Sequence, residues 1–336
     1  MSNTSNIFIC MSAYHLLQAL NIGRENDVVV ISMDDIDQKL NDALKDKFSS
    51  KVIFTPGLDK YKKHKITIPI IFRYNMAKVI RYVKNKRIGN IYVFNDVSPI
   101  TQYLCHNIPF EGEVIMVEEG IGLYRDSIVR QKMLFKLFGQ ISFGESFNFI
   151  LRQGTSDSVQ TILCHYPQLL DEQQLRKKIR LMPSANYGDL AKKMNISQVD
   201  GCDWFVGQPL VEDGVMSIDA YMNLISHLAN VSSRLGRQLV IKPHPREILQ
   251  KYKGIIPQLE IVSDWKVPME LLLGNTGNTL PTRVYTVYSS AILQLSTINN
   301  LQCYLLYNVL GIDMPELDRI FSDINAVKVN TLEELI

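Results

Sequence analysis

Short apolar runs that alternate with amphipathic helical patterns restrict the fold of this chain more than any other feature of its sequence. In the first half these runs lie at 7–11, 27–32, 51–54, 91–94 and 114–117. Strands separated by helices are typical of a parallel sheet that carries helices on both faces. We therefore predict that the first half forms one doubly wound, Rossmann-like α/β domain.

The same alternation returns in the second half of the chain. Its apolar runs lie at 203–206, 238–241, 260–262, 284–288 and 303–307. A second doubly wound sheet is predicted there. Because 336 residues exceed the usual length of one domain, we predict two domains, 1–195 and 196–336.

The segment from about 131 to 195 interrupts this alternation. It carries the phenylalanines Phe135, Phe138, Phe143, Phe147 and Phe149, followed by mixed polar helical patterns. We predict an aromatic-rich helical module within the first domain. Two interpretations stay open: an ordinary helical core, or an apolar surface for contact with a second subunit or with lipid.

Two doubly wound domains in tandem are expected to face a central cleft, because open α/β sheets bind ligands at the carboxyl ends of their strands. This architecture suits a glycosyltransferase of the GT-B type. It also suits a sugar-nucleotide epimerase, so the fold alone does not decide the activity.

Charge limits the partners. The chain has 36 Lys and Arg against 34 Asp and Glu, which excludes a general nucleic-acid binder. Basic residues do cluster locally, at Lys60, Lys62, Lys63, His64, Lys65, Arg81, Lys84, Lys86 and Arg87. This cluster is either a solvated helix face or a patch for anionic lipid headgroups or an acidic glycan.

The expected location is the cytoplasm, with peripheral contact at the inner face of the cell membrane left open. No secretory signal is visible, and no apolar stretch reaches the roughly 20 residues of a membrane span. The five cysteines are scattered without a CxxC pair, so we expect buried free thiols.

The first candidate catalytic element follows the apolar run 114–117. Glu118 and Glu119 come directly after it, and Gly120 follows them. Carboxylates at the end of a buried strand face the ligand side of the sheet, and one of an adjacent pair is a candidate general base. The alternative is a turn in which the acids are solvated and the glycine supplies positive φ.

The second element is His244, which follows the strand that ends near Lys242. Pro243 and Pro245 flank the histidine, exclude a helix and hold the imidazole in one place. A held imidazolium donates a proton or hydrogen bonds to a leaving phosphate. A structural turn histidine is the alternative.

The third element is the pair Ser289 and Ser290, at a predicted junction between a strand and a helix. One serine is explained as a helix cap, and the second favours phosphate binding. Glu270, in the first turn of a predicted helix, is a candidate acceptor for ribose hydroxyls, although acids at this position also stabilise helices.

A second acid pair competes for the role of base. Glu212 and Asp213 precede Gly214 after the strand that opens the second half. Other chemistries lack their motifs: the sequence has no phosphate loop, no GxGxxG after the first strand, no GxSxG and no metal-spaced Cys/His set. Asp34, Asp35 and Asp37 are interpreted as a helix cap rather than as a metal site.

Taken in order, the acid-acid-Gly, His-Pro and paired-serine elements resemble the motifs shared by bacterial sialyltransferases. The opening segment 7–17 is similar to the amino terminus of family 52 glycosyltransferases, which include lipooligosaccharide and capsule sialyltransferases. The resemblance implies a GT-B fold, CMP-Neu5Ac as donor, a galactose-terminated oligosaccharide acceptor, inversion at the anomeric carbon and a homodimer.

By motif position, the resemblance makes Glu118 or Glu119 the acid element, His244 the general acid, and Ser289 with Ser290 the phosphate binders. Asp213 keeps the identity of the base open. Lys242, Pro245, Glu270 and Gly120 complete the predicted donor site. No metal is expected, because CMP leaves with a single phosphate that a histidine and hydroxyls can neutralise.

Three alternatives remain at this stage. The chain transfers a neutral hexose from a donor such as UDP-glucose, or it is a sugar-nucleotide epimerase, or it is a membrane-associated protein that binds glycans without catalysis. Nucleotide preference and reaction without an acceptor separate these classes.

Overall fold

The structure is a computed structural model. It describes residues 4–33, 35–48, 52–55, 68–126, 132–183, 187–196, 202–252, 259–262, 264–274, 281–312 and 315–335. The chain divides into two compact units, Met1–Ala185 and Asn186–Ile336. The boundary between the two units thus lies nearer the amino terminus than predicted. The helix Tyr187–Lys193 belongs to the second unit, because it packs against the helix Met269–Gly274.

The first unit is built on a parallel sheet whose described strands number seven. They are β1 (Ser5–Cys10), β2 (Val28–Ser32), β3 (Val52–Thr55), β4 (Ile88–Val93), β5 (Val114–Val117), β6 (Thr161–Cys164) and β7 (Lys178–Leu181), in the order β3-β2-β1-β4-β5-β6-β7. β2 and β5 are buried along their whole length. Strands covered on both faces need continuous apolar runs, which is why these two were recognisable in the sequence.

Helices connect these strands. The described helices of the first unit are α1 (Ala13–Ile22), α2 (Gln38–Phe48), α3 (Ile68–Val83), α4 (Pro99–Asn107), α5 (Lys132–Phe143) and α6 (Glu172–Leu175). Asp37 accepts hydrogen bonds from the backbone N–H groups of Lys39 and Leu40, so the predicted cap of α2 is confirmed. Asp34 lies outside the described residues.

The interruption predicted at 131–195 is only partly present. After α5 the sheet continues with β6 and β7, which sequence analysis missed. β6 has four residues, and β7 is an edge strand with the polar sequence Lys-Ile-Arg-Leu, so neither produces a long apolar run. Phe143 and Phe147 are buried, so at these two positions the interpretation as helical core is correct.

The second unit contains a parallel sheet in the order β10-β9-β8-β11-β12-β13. Its strands are β8 (Asp203–Val206), β9 (Leu239–Lys242), β10 (Glu260–Ile261), β11 (Arg283–Thr286), β12 (Gln302–Leu305) and β13 (Val327–Lys328). Its described helices are α7 (Tyr187–Lys193), α8 (Ile218–Arg234), α9 (Met269–Gly274), α10 (Ile292–Leu295) and α11 (Pro315–Phe321). The predicted pair of doubly wound α/β units is confirmed.

All five cysteines, Cys10, Cys105, Cys164, Cys202 and Cys303, are buried free thiols, as predicted. Burial raises the pKa of the Cys105 and Cys303 thiols to about 12, so both are protonated and unreactive at neutral pH. Within the described ranges, no helix has both the length and the apolar character needed to cross a membrane.

Candidate active site

Each sheet reverses its strand order at one point, and the predicted site residues gather around these two points. In the first unit the reversal lies between β1 and β4, and in the second it lies between β8 and β11. Loops that leave the carboxyl ends of the strands diverge there, which opens the crevice where α/β sheets bind ligands.

Glu118, at the end of β5, is a buried carboxylate that holds other parts of the first unit. Its side chain is 1% exposed. Oε2 accepts hydrogen bonds from the Tyr124 hydroxyl at 2.5 Å and from the backbone N–H of His165 at 2.7 Å. His165 Nδ1 lies 3.3 Å from Oε1. Glu118 therefore ties β5 to the residue that follows β6, and it is closed to solvent.

Glu119, the next residue, is 20% exposed and lies beside a histidine. Its Oε2 atom is 3.0 Å from Nε2 of His15, in the first turn of α1. The backbone N–H of Met11 donates to His15 Nδ1 at 3.0 Å, so in the neutral ring the proton is on Nε2 and points at Glu119. The His15 ring stacks on Phe94 at a centroid distance of 4.4 Å.

The second carboxylate oxygen of Glu119 accepts a hydrogen bond from Gln153 Nε2. A loop anchored by Asp96 positions this glutamine, since Asp96 accepts the backbone N–H groups of Gly154 at 2.9 Å and Ser156 at 3.0 Å. Burial raises the pKa of Asp96 to about 6. Both oxygens of Glu119 are thus held, one by His15 and one by Gln153, while the side chain stays 20% exposed.

The glycines after the acid pair have backbone and packing roles. Gly120 has φ +107°, a conformation that favours glycine, and it starts a short 3-10 turn. A Cβ on Gly122 would lie 3.0 Å from Glu119 Oε1, so glycine there leaves room for the carboxylate. Gly120, predicted at the donor site, thus shapes the turn that presents Glu119.

In the second unit, His244 lies on the loop that leaves β9, and the side chain of Glu247 holds this loop through hydrogen bonds. Glu247 Oε2 accepts the backbone N–H of His244 at 2.5 Å. The hydroxyls of Tyr221 and Tyr252 donate to Glu247 Oε1 at 2.8 and 2.7 Å. A Cβ on Gly207 would lie 2.4 Å from Oε2, so this carboxylate needs glycine at that position.

A lysine completes this buried network. Lys251 Nζ lies 2.7 Å from Glu247 Oε1 and 3.1 Å from Glu212 Oε1, and its side chain is 4% exposed. The ammonium also lies 4.4 Å from the centroid of the Tyr221 ring. One cation shared by two carboxylates compensates the burial of all three charges and makes the loop rigid.

The His244 ring is oriented by its own loop. The backbone N–H of Arg246 donates to Nδ1 at 3.1 Å, so the neutral ring carries its proton on Nε2. Burial, together with the charges of Lys242 and Arg246, lowers the pKa of His244 to about 4. In the free protein His244 is therefore a neutral Nε2–H donor at pH 7, where the sequence had suggested an imidazolium.

Lys242, the last residue of β9, is a buried cation beside this histidine. It is 7% exposed. Burial lowers the pKa of its ammonium to about 8, although Glu270 and Glu247 act in the opposite direction. A buried ammonium near a neutral histidine is an arrangement that favours the arrival of an anion.

The predicted serine pair follows β11, on the other side of β8. Gln208 joins the two strand ends, because its Oε1 accepts the backbone N–H of Tyr288 at 2.7 Å. Ser289 Oγ accepts the backbone N–H of Ala291 at 3.3 Å, but Ala291 itself is the N-cap of α10 and no side chain caps that helix, so the predicted serine cap is wrong. The helix that follows, α10, has only four residues, so the helix dipole expected at this junction is small.

Asp213 belongs to an ion pair. Its two oxygens accept hydrogen bonds from Arg246 at 3.0 and 3.1 Å. Arg246 lies two residues after His244, so Asp213 stabilises the same loop as Glu247 does. Pro245 and Arg246 are exposed, and Glu270, in the first turn of α9, is half-buried.

Four site residues escaped sequence analysis: His15, Gln153, Glu247 and Lys251. His15 lies 104 positions from Glu119, and only the adjacency of strands brings the two together. Glu247 could have been identified from the local sequence. It follows His244 by three residues, and at this spacing a carboxylate can reach the backbone N–H of the histidine. Among the described residues, no group of three or more His, Cys, Asp and Glu is arranged to hold a metal ion.

Several solved structures have a fold similar to that of this chain. The chain is similar to UDP-GlcNAc 2-epimerase of Methanocaldococcus jannaschii, with 11% identity and a TM-score of 0.57 over 99% of this chain and 91% of that one. It is also similar to the glycosyltransferase of kitacinnamycin (11%, TM-score 0.53, 98% and 87%) and to UDP-GlcNAc 2-epimerase of Neisseria meningitidis (10%, 0.53, 90% and 82%). At this identity the likeness defines the fold, which is of the GT-B type.

The sequence itself defines the family. A model of the alpha-2,8-polysialyltransferase (POLYST) family matches residues 6–307, and the chain belongs to this family. It is therefore a glycosyltransferase of the sialyltransferase class, as the three motifs had indicated. The placement in family 52 stays a prediction. No curated protein sequence matches the chain.

Proposed function

We propose that this protein transfers sialic acid from CMP-Neu5Ac to a glycan hydroxyl, with inversion and without a metal ion. The observation that carries the proposal is the pairing of Lys242 with His244 after β9, next to the strand end that leads to Gln208. A buried cation and an oriented N–H donor are what a single departing phosphate requires.

The phosphate of CMP is proposed to meet Lys242, the Nε2–H of His244 and the hydroxyls of Ser289 and Ser290. A phosphate at this position would stabilise the imidazolium form and raise the pKa of His244 from its low value in the free protein, so the ring takes up a proton from solvent when the donor binds. His244 then protonates the phosphate oxygen as the bond from that oxygen to the anomeric carbon breaks. Glu270 stays a candidate for the ribose hydroxyls.

Glu119 is the proposed general base. Its carboxylate is partly exposed, whereas Glu118 is buried and Asp213 is paired with Arg246. In the proposed reaction Glu119 takes the proton of the acceptor hydroxyl, whose oxygen bonds to the anomeric carbon as the bond to the phosphate breaks, with inversion at that carbon. His15 and Gln153 hold the carboxylate in one orientation, which lowers the entropic cost of the attack.

Two acceptors are to be compared. The motif resemblance implies a galactose-terminated oligosaccharide, and the name of the matched family points to addition to a terminal sialic acid through an α-2,8 bond. We also propose a role in capsule or lipooligosaccharide synthesis and assembly as a homodimer. Light scattering of the purified protein measures the oligomeric state.

The direct test incubates the protein in EDTA with CMP-Neu5Ac and either lactose or an α-2,8-linked sialic acid oligomer. Product mass and NMR give the acceptor and the linkage. Transfer to either acceptor supports the proposal. Strict dependence on a divalent ion would contradict the metal-free mechanism, and conversion of UDP-GlcNAc without an acceptor would identify an epimerase.

Matched variants test the roles within the site. Glu119→Gln and His244→Ala should each lower kcat about 100-fold or more, with CMP affinity changed less than threefold in Glu119→Gln. Glu118→Gln is the isosteric control, and its folded fraction should keep kcat within tenfold. A larger loss of kcat in Glu118→Gln than in Glu119→Gln would exchange the two assignments.

A further inference from the structure

Helix α5 has an apolar face that is open to solvent. Met133, Leu134, Leu137 and Ile141 are 77%, 63%, 47% and 73% exposed. Met133, Leu137 and Ile141 follow one another at intervals of four, so they lie on one side of the helix. On another side Gly139 packs against the Phe147 ring, where a Cβ would come within 2.3 Å. The helix is thus seated on the unit by one face and exposes an apolar one.

Helix α3 packs against α5 and has a stripe of a different kind. Arg73 Nε donates to the Ser142 carbonyl at 2.6 Å, which joins the two helices. Tyr74 is 64% exposed and Tyr82 is 39% exposed. Lys78 Nζ lies 4.4 Å from the centre of the Tyr74 ring, and Lys86 Nζ lies 4.9 Å from the centre of the Tyr82 ring. The stripe therefore alternates aromatic rings and ammonium groups at intervals of four.

Charge on these helices has one sign. From Ile68 to Arg87 the chain has six Lys and Arg and no acid, and from Lys132 to Phe143 it has two Lys and no acid. The lysine-rich stretch 60–65 precedes α3 in the sequence and lies outside the described residues. Apolar side chains beside tyrosines and lysines, without acids, are the composition of a segment that lies in the interface of an anionic bilayer.

We propose that the α3–α5 surface, defined by Met133, Leu134, Leu137 and Ile141 with Tyr74, Lys78, Tyr82 and Lys86, docks on an anionic lipid surface. The apolar face of α5 enters the boundary between headgroups and acyl chains, and Lys78 of α3 and Lys86, which follows α3, contact the phosphates. A second copy of this chain fits less well, because two faces with only basic charges repel each other. The side chains of Phe135 and Phe138, which belong to the predicted aromatic surface, lie outside the described part of the chain.

The test measures binding of the full chain to vesicles by flotation. Vesicles contain either phosphatidylcholine alone or phosphatidylcholine with about 30% phosphatidylglycerol, which is an anionic lipid. The protein should bind the anionic vesicles, and high salt should weaken binding. Lys78→Glu with Lys86→Glu should lower the partition constant about thirtyfold or more. Met133→Ser with Leu137→Ser and Ile141→Ser should lower it more than tenfold.

Matched controls carry equal changes elsewhere. Lys192→Glu with Lys193→Glu alters two exposed lysines of α7, and Leu175→Ser with Leu181→Ser and Val327→Ser alters three exposed apolar side chains. Both controls should bind anionic vesicles as the wild type does. Circular dichroism and melting temperature establish that each variant is folded.

Three results would overturn the proposal. The first is a wild-type protein that does not float with anionic vesicles. The second is an unchanged partition constant in both α3–α5 variants. The third is a wild-type dimer that the α5 variant converts to a monomer while vesicle binding stays the same, which would assign this surface to a second copy of the chain.

Discussion

Replacing Glu247 with glutamine should destabilise the second unit by about 3 kcal/mol. Residue Glu247 is 5% exposed. Its carboxylate accepts hydrogen bonds from two tyrosine hydroxyls and from the backbone N–H of His244, and it forms an ion pair with Lys251. Removing one partner of a buried ion pair costs roughly 3–5 kcal/mol. Because Lys251 keeps Glu212 at 3.1 Å, the lower end of that range is expected.

A double-mutant cycle separates the ion pair from the loss of hydrogen bonds. Lys251→Met removes the other partner, and the double variant lacks both charges of the Glu247–Lys251 pair. Glu212 loses its ammonium partner equally in Lys251→Met and in the double variant, so this loss cancels in the cycle. We expect the double variant to be more stable than the sum of the two single changes predicts, by about 2 kcal/mol. Glu260→Gln, at an exposed position of β10, serves as the control and should leave the urea midpoint unchanged.

Urea unfolding followed by tryptophan fluorescence is the assay. Both tryptophans, Trp204 and Trp265, lie in the second unit, so the signal reports the unit that carries the substitutions. A loss below about 1 kcal/mol in Glu247→Gln, or strict additivity in the cycle, would refute the account of a buried network that holds the His244 loop.

Three further predictions follow from close contacts and pKa values. Gly207→Ala should destabilise the second unit by about 1–3 kcal/mol, because the new Cβ would lie 2.4 Å from Glu247 Oε2; an unchanged urea midpoint would contradict this. CMP affinity, measured by calorimetry, should fall as pH rises from 7 to 9. Burial lowers the pKa of Lys242 to about 8, so this side chain loses its charge in that range. Lys242→Met should bind CMP weakly, and its affinity should not fall over the same pH range. Burial raises the pKa of Asp96 from 3.8 to about 6, so the folded state holds a proton that the unfolded state releases, and stability should fall by about 2 kcal/mol as pH rises from 4 to 7. Asp96→Asn should lack this decrease when unfolding is followed by circular dichroism, and parallel pH profiles of the two proteins would count against it.

Much of the site was predictable because polar residues interrupt apolar runs at the ends of strands. Glu118, Glu119, His244 and Ser289 were selected in this way, and the structure places all four after the carboxyl ends of strands, where parallel sheets carry their ligand-binding loops. The choice between the two glutamates was not predictable. Both follow β5 directly, and their difference in exposure depends on Tyr124 and His15, which come from other parts of the chain.

Local pattern also failed where an element was short or lay at an edge. β6 and β7 were missed because four residues produce little periodicity and an edge strand tolerates polar side chains. The helix expected after Ser290 is only a single turn. The prediction had treated the serines as the cap of a longer helix.

The sequence by itself determined the class of fold and which polar residues follow each strand. Apolar runs long enough to be buried on both faces, separated by helical patterns, permit little other than parallel sheets with helices around them. The tertiary structure decided the order of the strands, and with it which side chains meet. β1 lies beside β4, so His15 stacks on Phe94 and reaches Glu119, and β8 lies between β9 and β11, so Gln208 joins the end of β8 to the loop after β11. Strand order depends on packing between residues far apart in the chain, and this information is absent from any local window of sequence.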